Sequence, residues 1–196
     1  MEINGYRIEP GVNLEHANLS GENLSGVNLE GANLSSANLV HVNLEGANLT
    51  NANLTNANLD HVYLEGANLT DALLGGANLS VANLYRAKLS CAQLAKANLT
   101  KATLKDADLT GVNLAEAILA GVNLDGANLT SANLKGAYLR YAFGESTNLR
   151  YANLASANLE AVLLIGANFT GANMTEVLLT GSNLRGATMP DGTVHD

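Results

Sequence analysis

The 196-residue chain is 47% hydrophobic but only 4% aromatic, carries one Cys and no Trp, and has a formal net charge of −8. A single Cys excludes a disulfide scaffold and a Cys-based zinc site. The longest apolar run, 161–165, is far below the roughly 20 residues needed to span a bilayer, while the Leu content excludes disorder and the length suffices for one sizeable core.

The opening MEINGYRIEP has no basic stretch and no apolar h-region. It predicts no secretory signal and a cytoplasmic protein. Residues 1–11 read as an N-terminal cap. From residue 12 to residue 189 the chain is one uninterrupted repeat. Counting from 14 to 189 in steps of five, Leu fills 32 of 36 slots, the exceptions being Gly144, Phe169, Met174 and Met189. Two residues before each slot stands Ala in 25 units and Val in eight, and one residue before it stands Asn in 24. Gly is phased as well, with 15 of 19 glycines three residues ahead of a slot. The unit is therefore Ala-Asn-Leu-x-Gly.

A period of five matches neither the 3.6 of a helix nor the 2 of a continuous strand. Within a unit, however, Ala and Leu are two apart, so an extended chain points both to one side. The remaining positions must turn the chain before the next pair. Gly tolerates the dihedrals of a tight corner, and the Asn amide bonds nearby backbone. The pattern predicts a coil lined by Leu and Ala, with successive coils sharing backbone hydrogen bonds.

These tandem units resemble the pentapeptide repeat family, whose consensus is A(D/N)LXX. The resemblance covers 12–189. It implies an all-β, right-handed quadrilateral β-helix with 20 residues per coil and about nine coils. The ending, residues 186–196, is similar to that of cyanobacterial members and implies that 190–196 cap the last coil. Members of this kind are non-catalytic and act by binding proteins as regulators or inhibitors. The resemblance therefore implies an interaction or regulatory module with a protein partner of unknown identity, no cofactor and no membrane. One branch of the family mimics DNA and inhibits or protects DNA gyrase, which is the alternative function. Against it, Asn outnumbers Asp before the slot, where Asp108 stands alone, and seven residues after Met189 leave no room for a dimerising helical module. A rod assembling end to end is a third reading, and we expect either a monomer or an end-to-end dimer.

The charge is uneven. Residues 1–80 hold nine acids and one base, whereas the rest balances at nine of each. The acidic end argues against direct nucleic-acid binding. Arg86, Lys88, Lys96, Lys101 and Lys105 form a basic belt without acids between them, read mainly as a solvated surface. The strongest departure lies at 138–151, where four of the eight aromatics gather. Tyr138, Arg140, Tyr141, Phe143, Arg150 and Tyr151 are the candidate protein-binding patch, because Tyr and Arg anchor interfaces. The competing reading is a local bulge in which Phe143 turns inward to refill the place of Leu lost at Gly144.

The 20-residue coil also stacks His41 on His61, read as turn histidines rather than a metal site. Thr50, Thr70, Ser90, Thr110 and Thr130 fall in one column. Such a flat hydroxyl array suits ice, although Thr is also simply favoured in exposed strands. Cys91 reads as a plain surface thiol. No catalytic motif, phosphate loop or catalytic pocket is expected, and neither is a metal.

Overall fold

The computed structural model describes residues 2–196. Each pentapeptide is a short extended face followed by a corner. In one unit Ala67 and Leu69 are fully buried while Asn68 between them faces out. The Leu69 amide donates to the Lys88 carbonyl of the next coil at 2.7 Å, and the Asn68 amide donates to Ala47 of the previous one at 2.9 Å. The corner closes when the Ala67 amide donates to the Leu64 carbonyl at 3.0 Å. Gly66, at φ +63°, occupies the left-handed third position that a type II turn requires.

Every bridge in the repeat joins residue i to residue i+20 in parallel, from Asn13↔Asn33 to Asn168↔Thr188. Four units thus make one coil, and the described residues 11–190 make nine coils of a right-handed quadrilateral β-helix. We number the faces by their outward residues: face 1 carries 13, 33 and onward, face 2 carries 18, face 3 carries 23 and face 4 carries 28. Corners are named by the faces they join, and coil 1 is 11–30.

The core is a stack of leucine layers. Every slot Leu from Leu14 to Leu164 is at most 2% exposed. Each contributes on the order of 2 kcal/mol of gross burial free energy, and each layer touches only its neighbours, so stability accumulates coil by coil. The outward Asn serves twice. The Asn13 Oδ1 accepts the Glu15 amide at 3.2 Å and the Asn33 Nδ2 at 2.9 Å, pinning its own corner and tying two coils together.

Glycine is not the rule at the corners. Twenty-two described non-glycine residues have positive φ. Most are Asn, Asp, Ser or long polar residues, but Val81 sits at φ +58°, where a β-branched side chain is a genuine outlier. Val81→Asn relieves that strain, since Asn51 and Asn56 adopt the same conformation at φ +57° and +56°. The expected gain is about 1 kcal/mol, read as a rise of about 2–4 °C in thermal midpoint.

The two ends differ. β1 (Glu2–Ile3) and β2 (Tyr6–Arg7) form an antiparallel hairpin around Asn4 and Gly5, both at positive φ, as a two-residue hairpin loop demands. Ile3, Tyr6 and Ile8 pack over the first coil. At the other end the tail folds back, Val194 bridges Thr188 in the antiparallel sense, and the His195 amide donates to Ala187 at 2.8 Å. The tail thus pairs with face 4 of the last coil.

One unit inverts its core. Phe143 stays outside, bridged to Asn123 and Leu163, so there is no bulge and the register is unbroken. Phe143 does not refill the gap at Gly144, because an outward strand position cannot reach the core without reversing the pleat. Thr147 does so instead and is fully buried. Its hydroxyl lies 2.9 Å from the carbonyls of Leu124 and Gly144. A Cβ on Gly144 would run into Thr147 Oγ1 and lie 3.0 Å from Leu124 Cβ and 3.2 Å from Leu164 Cδ2.

Candidate protein-binding edge

Outward positions are Asn wherever the ladder runs, so the places where it fails stand out. On the edge between faces 2 and 3 it fails repeatedly from coil 6 to coil 9. Ile118 bridges Tyr138 on face 2, Phe143 bridges Leu163 on face 3, Tyr141 stands on the corner between them, and Leu178 continues face 2. All six side chains are 39–60% exposed. An Asn-to-apolar exchange at a solvated position adds nothing to the core, so these positions, interrupted on face 2 by Asn158, are surface kept apolar.

Tyr141 is held in place. The Arg140 guanidinium lies 5.0 Å from its ring centroid and donates to its hydroxyl at 3.1 Å. Arg140 Nε also pairs with Glu160 at 3.2 Å, one coil on. Glu160, Arg140 and Tyr141 thus form a chain that fixes the aromatic ring on this corner.

The six residues predicted at 138–151 do not form one patch. Tyr138, Arg140, Tyr141 and Phe143 come together on edge 2–3. Tyr151 follows Tyr141 by ten residues, half a coil, so Arg150 and Tyr151 lie on edge 4–1, diagonally across the rod. There Arg150 stacks on Tyr151 at 5.4 Å and donates to its hydroxyl at 3.3 Å, and the Tyr151 ring lies over Gly171. Ile118, Leu163 and Leu178 join the stripe instead. The signal that finds them is the 20-residue column, not proximity along the chain.

The other candidates resolve into structural roles. The His41 and His61 rings lie with centroids 5.0 Å apart, tilted by 49°, and His61 Nδ1 meets Asp60 Oδ2 at 2.9 Å. Hydrogen bonds from Ser80 and then His61 hold the Asp60 carboxyl below the usual carboxylate range. No group of three metal-ligating side chains occurs among the described residues. The basic belt is spread round the rod. Lys88 on face 4 bridges Asp108, and Lys96 on edge 1–2 pairs with Glu116 at 3.8 Å. Lys101 is on edge 2–3, and Arg86 and Lys105 are on edge 3–4, so the five bases do not converge on an anion.

In the hydroxyl column, Thr50 Oγ1 donates to Asn48 Oδ1 at 2.7 Å and accepts from Asn68 Nδ2 at 2.8 Å. Thr110 and Thr130 are engaged in the same way. These hydroxyls join coils and are not free to order ice. A depression of about 210 Å³ on face 3, against Tyr63 between Glu45 and Glu65, is open rather than an enclosed pocket. No helix among the described residues is long and apolar enough to cross a membrane.

Comparison with known proteins agrees with this architecture. Eight copies of the family description "Pentapeptide repeats" match between residues 11 and 189. Among solved structures, the chain is similar to HetL from the cyanobacterium Nostoc sp. strain PCC 7120, a pentapeptide repeat protein involved in heterocyst differentiation regulation. The identity is 32% over 95% of this chain and 92% of that one, with a TM-score of 0.59. Rfr23 from the cyanobacterium Cyanothece 51142 is 39% identical over 53% of this chain and 64% of its own, with a TM-score of 0.26. QnrB1, a plasmid-mediated fluoroquinolone resistance protein, is 16% identical over 90% of this chain and 88% of its own, with a TM-score of 0.49. That last likeness carries no functional argument. No curated protein matches the sequence.

Proposed function

The chain belongs to the pentapeptide repeat family, and from that premise we propose that it is a non-catalytic regulatory module that binds a protein partner along edge 2–3. The observation that carries the reading is the exposed apolar stripe, preset by the Glu160–Arg140–Tyr141 chain, where the repeat elsewhere places Asn. The likeness to HetL, a protein of heterocyst differentiation regulation, favours regulation over a purely structural role. A cytoplasmic location belongs to the same proposal, since an exposed, unpaired Cys91 suits a reducing compartment.

DNA mimicry at gyrase is the competing reading. It needs a charged surface, whereas the outward ladders here are mostly neutral Asn, and the net acidity is confined to the N-terminal coils, away from the stripe. Direct nucleic-acid binding is disfavoured by the same acidity.

Affinity capture from source-cell lysate tests the proposal, with wild type and Phe143→Asn/Leu163→Asn as baits. Both substitutions restore the consensus residue at solvated positions, so the fold is expected to be unchanged. A protein recovered by wild type and lost with the variant supports the reading. Equal recovery by both baits counts against edge 2–3, and recovery of gyrase by both favours mimicry.

A further inference from the structure

In the N-terminal coils the Asn ladder of face 3 breaks at Tyr63, and the break leaves a polar hollow. Asn43 and Asn83 flank Tyr63 one coil to either side. Their Oδ1 atoms each accept only the amide of their own corner, Glu45 at 2.9 Å and Tyr85 at 3.1 Å, so each keeps a free acceptor lone pair. The half-exposed Tyr63 ring lines the depression of about 210 Å³ together with Glu45 and Glu65, which stand one coil apart, about 4.8 Å. Neither carboxylate has a hydrogen-bond or ion-pair partner among the described residues. The single Lys or Arg of residues 1–80, Arg7, is already held by Glu9 at 2.8 Å. Gly46 and Gly66 follow the two glutamates, and nothing lies within 4 Å of a Cβ placed on either, so the corner beside the hollow is open.

We propose that this hollow takes the guanidinium of an arginine side chain presented by a partner protein. The chain itself displays the contact. Arg86 lies 4.8 Å over the Tyr85 ring, Arg140 5.0 Å over Tyr141 and Arg150 5.4 Å over Tyr151. Tyr63 offers the same aromatic face with no arginine of its own. The hydrogen-bonding groups select the same occupant. Two carboxylates and two amide oxygens surround the ring, and a guanidinium is flat and carries five N–H donors with no acceptor. A lysine ammonium is a compact point charge that does not stack, and a quaternary ammonium leaves the carboxylates without donors. Charge agrees, since the whole net −8 resides in residues 1–80. The open, shallow form suits the tip of a side chain rather than a free amino acid. Free arginine brings its own carboxylate towards Glu45 and Glu65, and like charges repel. The inference does not rest on edge 2–3, because Tyr63 lies four coils from Phe143 along face 3.

Titration of the isotope-labelled full chain with acetyl-arginine methylamide, followed by NMR at low salt, tests it. The backbone amides of Glu45, Tyr63 and Glu65 are expected to shift saturably at millimolar probe, and added salt is expected to weaken the binding. Tyr63→Leu is expected to weaken it about two- to five-fold, the worth of one exposed cation–π contact, whereas Tyr63→Phe keeps the ring and the affinity. Glu45→Gln/Glu65→Gln is expected to cost about ten-fold, the worth of two exposed ion pairs. Acetyl-lysine methylamide and free arginine are both expected to bind more weakly than the blocked arginine. Absence of a saturable shift at these amides overturns the proposal, as does a lysine probe of equal affinity or an unchanged affinity in Tyr63→Leu. Tighter binding of free arginine overturns the assignment to a partner's side chain. All substituted positions face solvent, and circular dichroism melts of each variant separate loss of binding from loss of fold.

Discussion

Gly144→Leu, which returns a consensus residue to the repeat, is expected to destabilise the protein by about 2–4 kcal/mol. The new side chain enters a space already filled by Thr147 Oγ1 and bounded by Leu124 and Leu164. Thr147→Ala alone is expected to cost about 1–3 kcal/mol. It opens a void over Gly144 and removes the hydroxyl from the carbonyls of Leu124 and Gly144. Together, Gly144→Leu/Thr147→Ala recreates the arrangement of Leu139 with Ala142, both buried in the preceding unit. The double variant is expected to match or exceed wild type, giving a coupling of about 3 kcal/mol or more between the two sites. Urea unfolding of the four proteins measures it. Additive losses would mean that the two residues are independent departures rather than one exchanged pair.

That exchange shows where the sequence is legible and where it is not. The repeat is readable because one short period satisfies packing, turn and ladder together. Leu and Ala set the inward side, Asn pins the corner and links coils, and the left-handed residue closes the turn. Gly144 is visible as a missing Leu, but its remedy is not. Phe143 is adjacent and large, so it attracts attention, yet alternation along the strand keeps it outside. Thr147 reaches the gap from across the corner, a contact that requires the coil to be known.

The proposed binding edge follows the same logic. In sequence, Tyr138 to Tyr151 form one cluster. In space, ten residues are half a coil, and Tyr151 stands diagonally opposite Tyr141. Conversely, Leu163 and Leu178 are remote in the chain but share columns with Phe143 and Tyr138. Stacking at 20 residues sorts outward residues by face, whereas closeness along the chain groups residues that face apart. The hydroxyl column is a further case. Its Thr residues are outward as their spacing predicts, but their hydroxyls are used between Asn side chains of successive coils.

The split of the aromatic cluster between two edges is most directly tested by binding. Once the partner is isolated, its affinity should be measured by titration calorimetry against three forms of the chain. Besides wild type, Tyr141→Asn/Phe143→Asn alters edge 2–3, and Arg150→Thr/Tyr151→Asn alters edge 4–1 with residues the repeat uses at those columns. The first is expected to weaken binding more than 100-fold, about 3 kcal/mol for two central aromatic anchors. The second is expected to change it by less than about two-fold, within the range of residues outside an interface. Equal losses from both variants, or a loss confined to Arg150→Thr/Tyr151→Asn, would contradict the assignment of binding to edge 2–3.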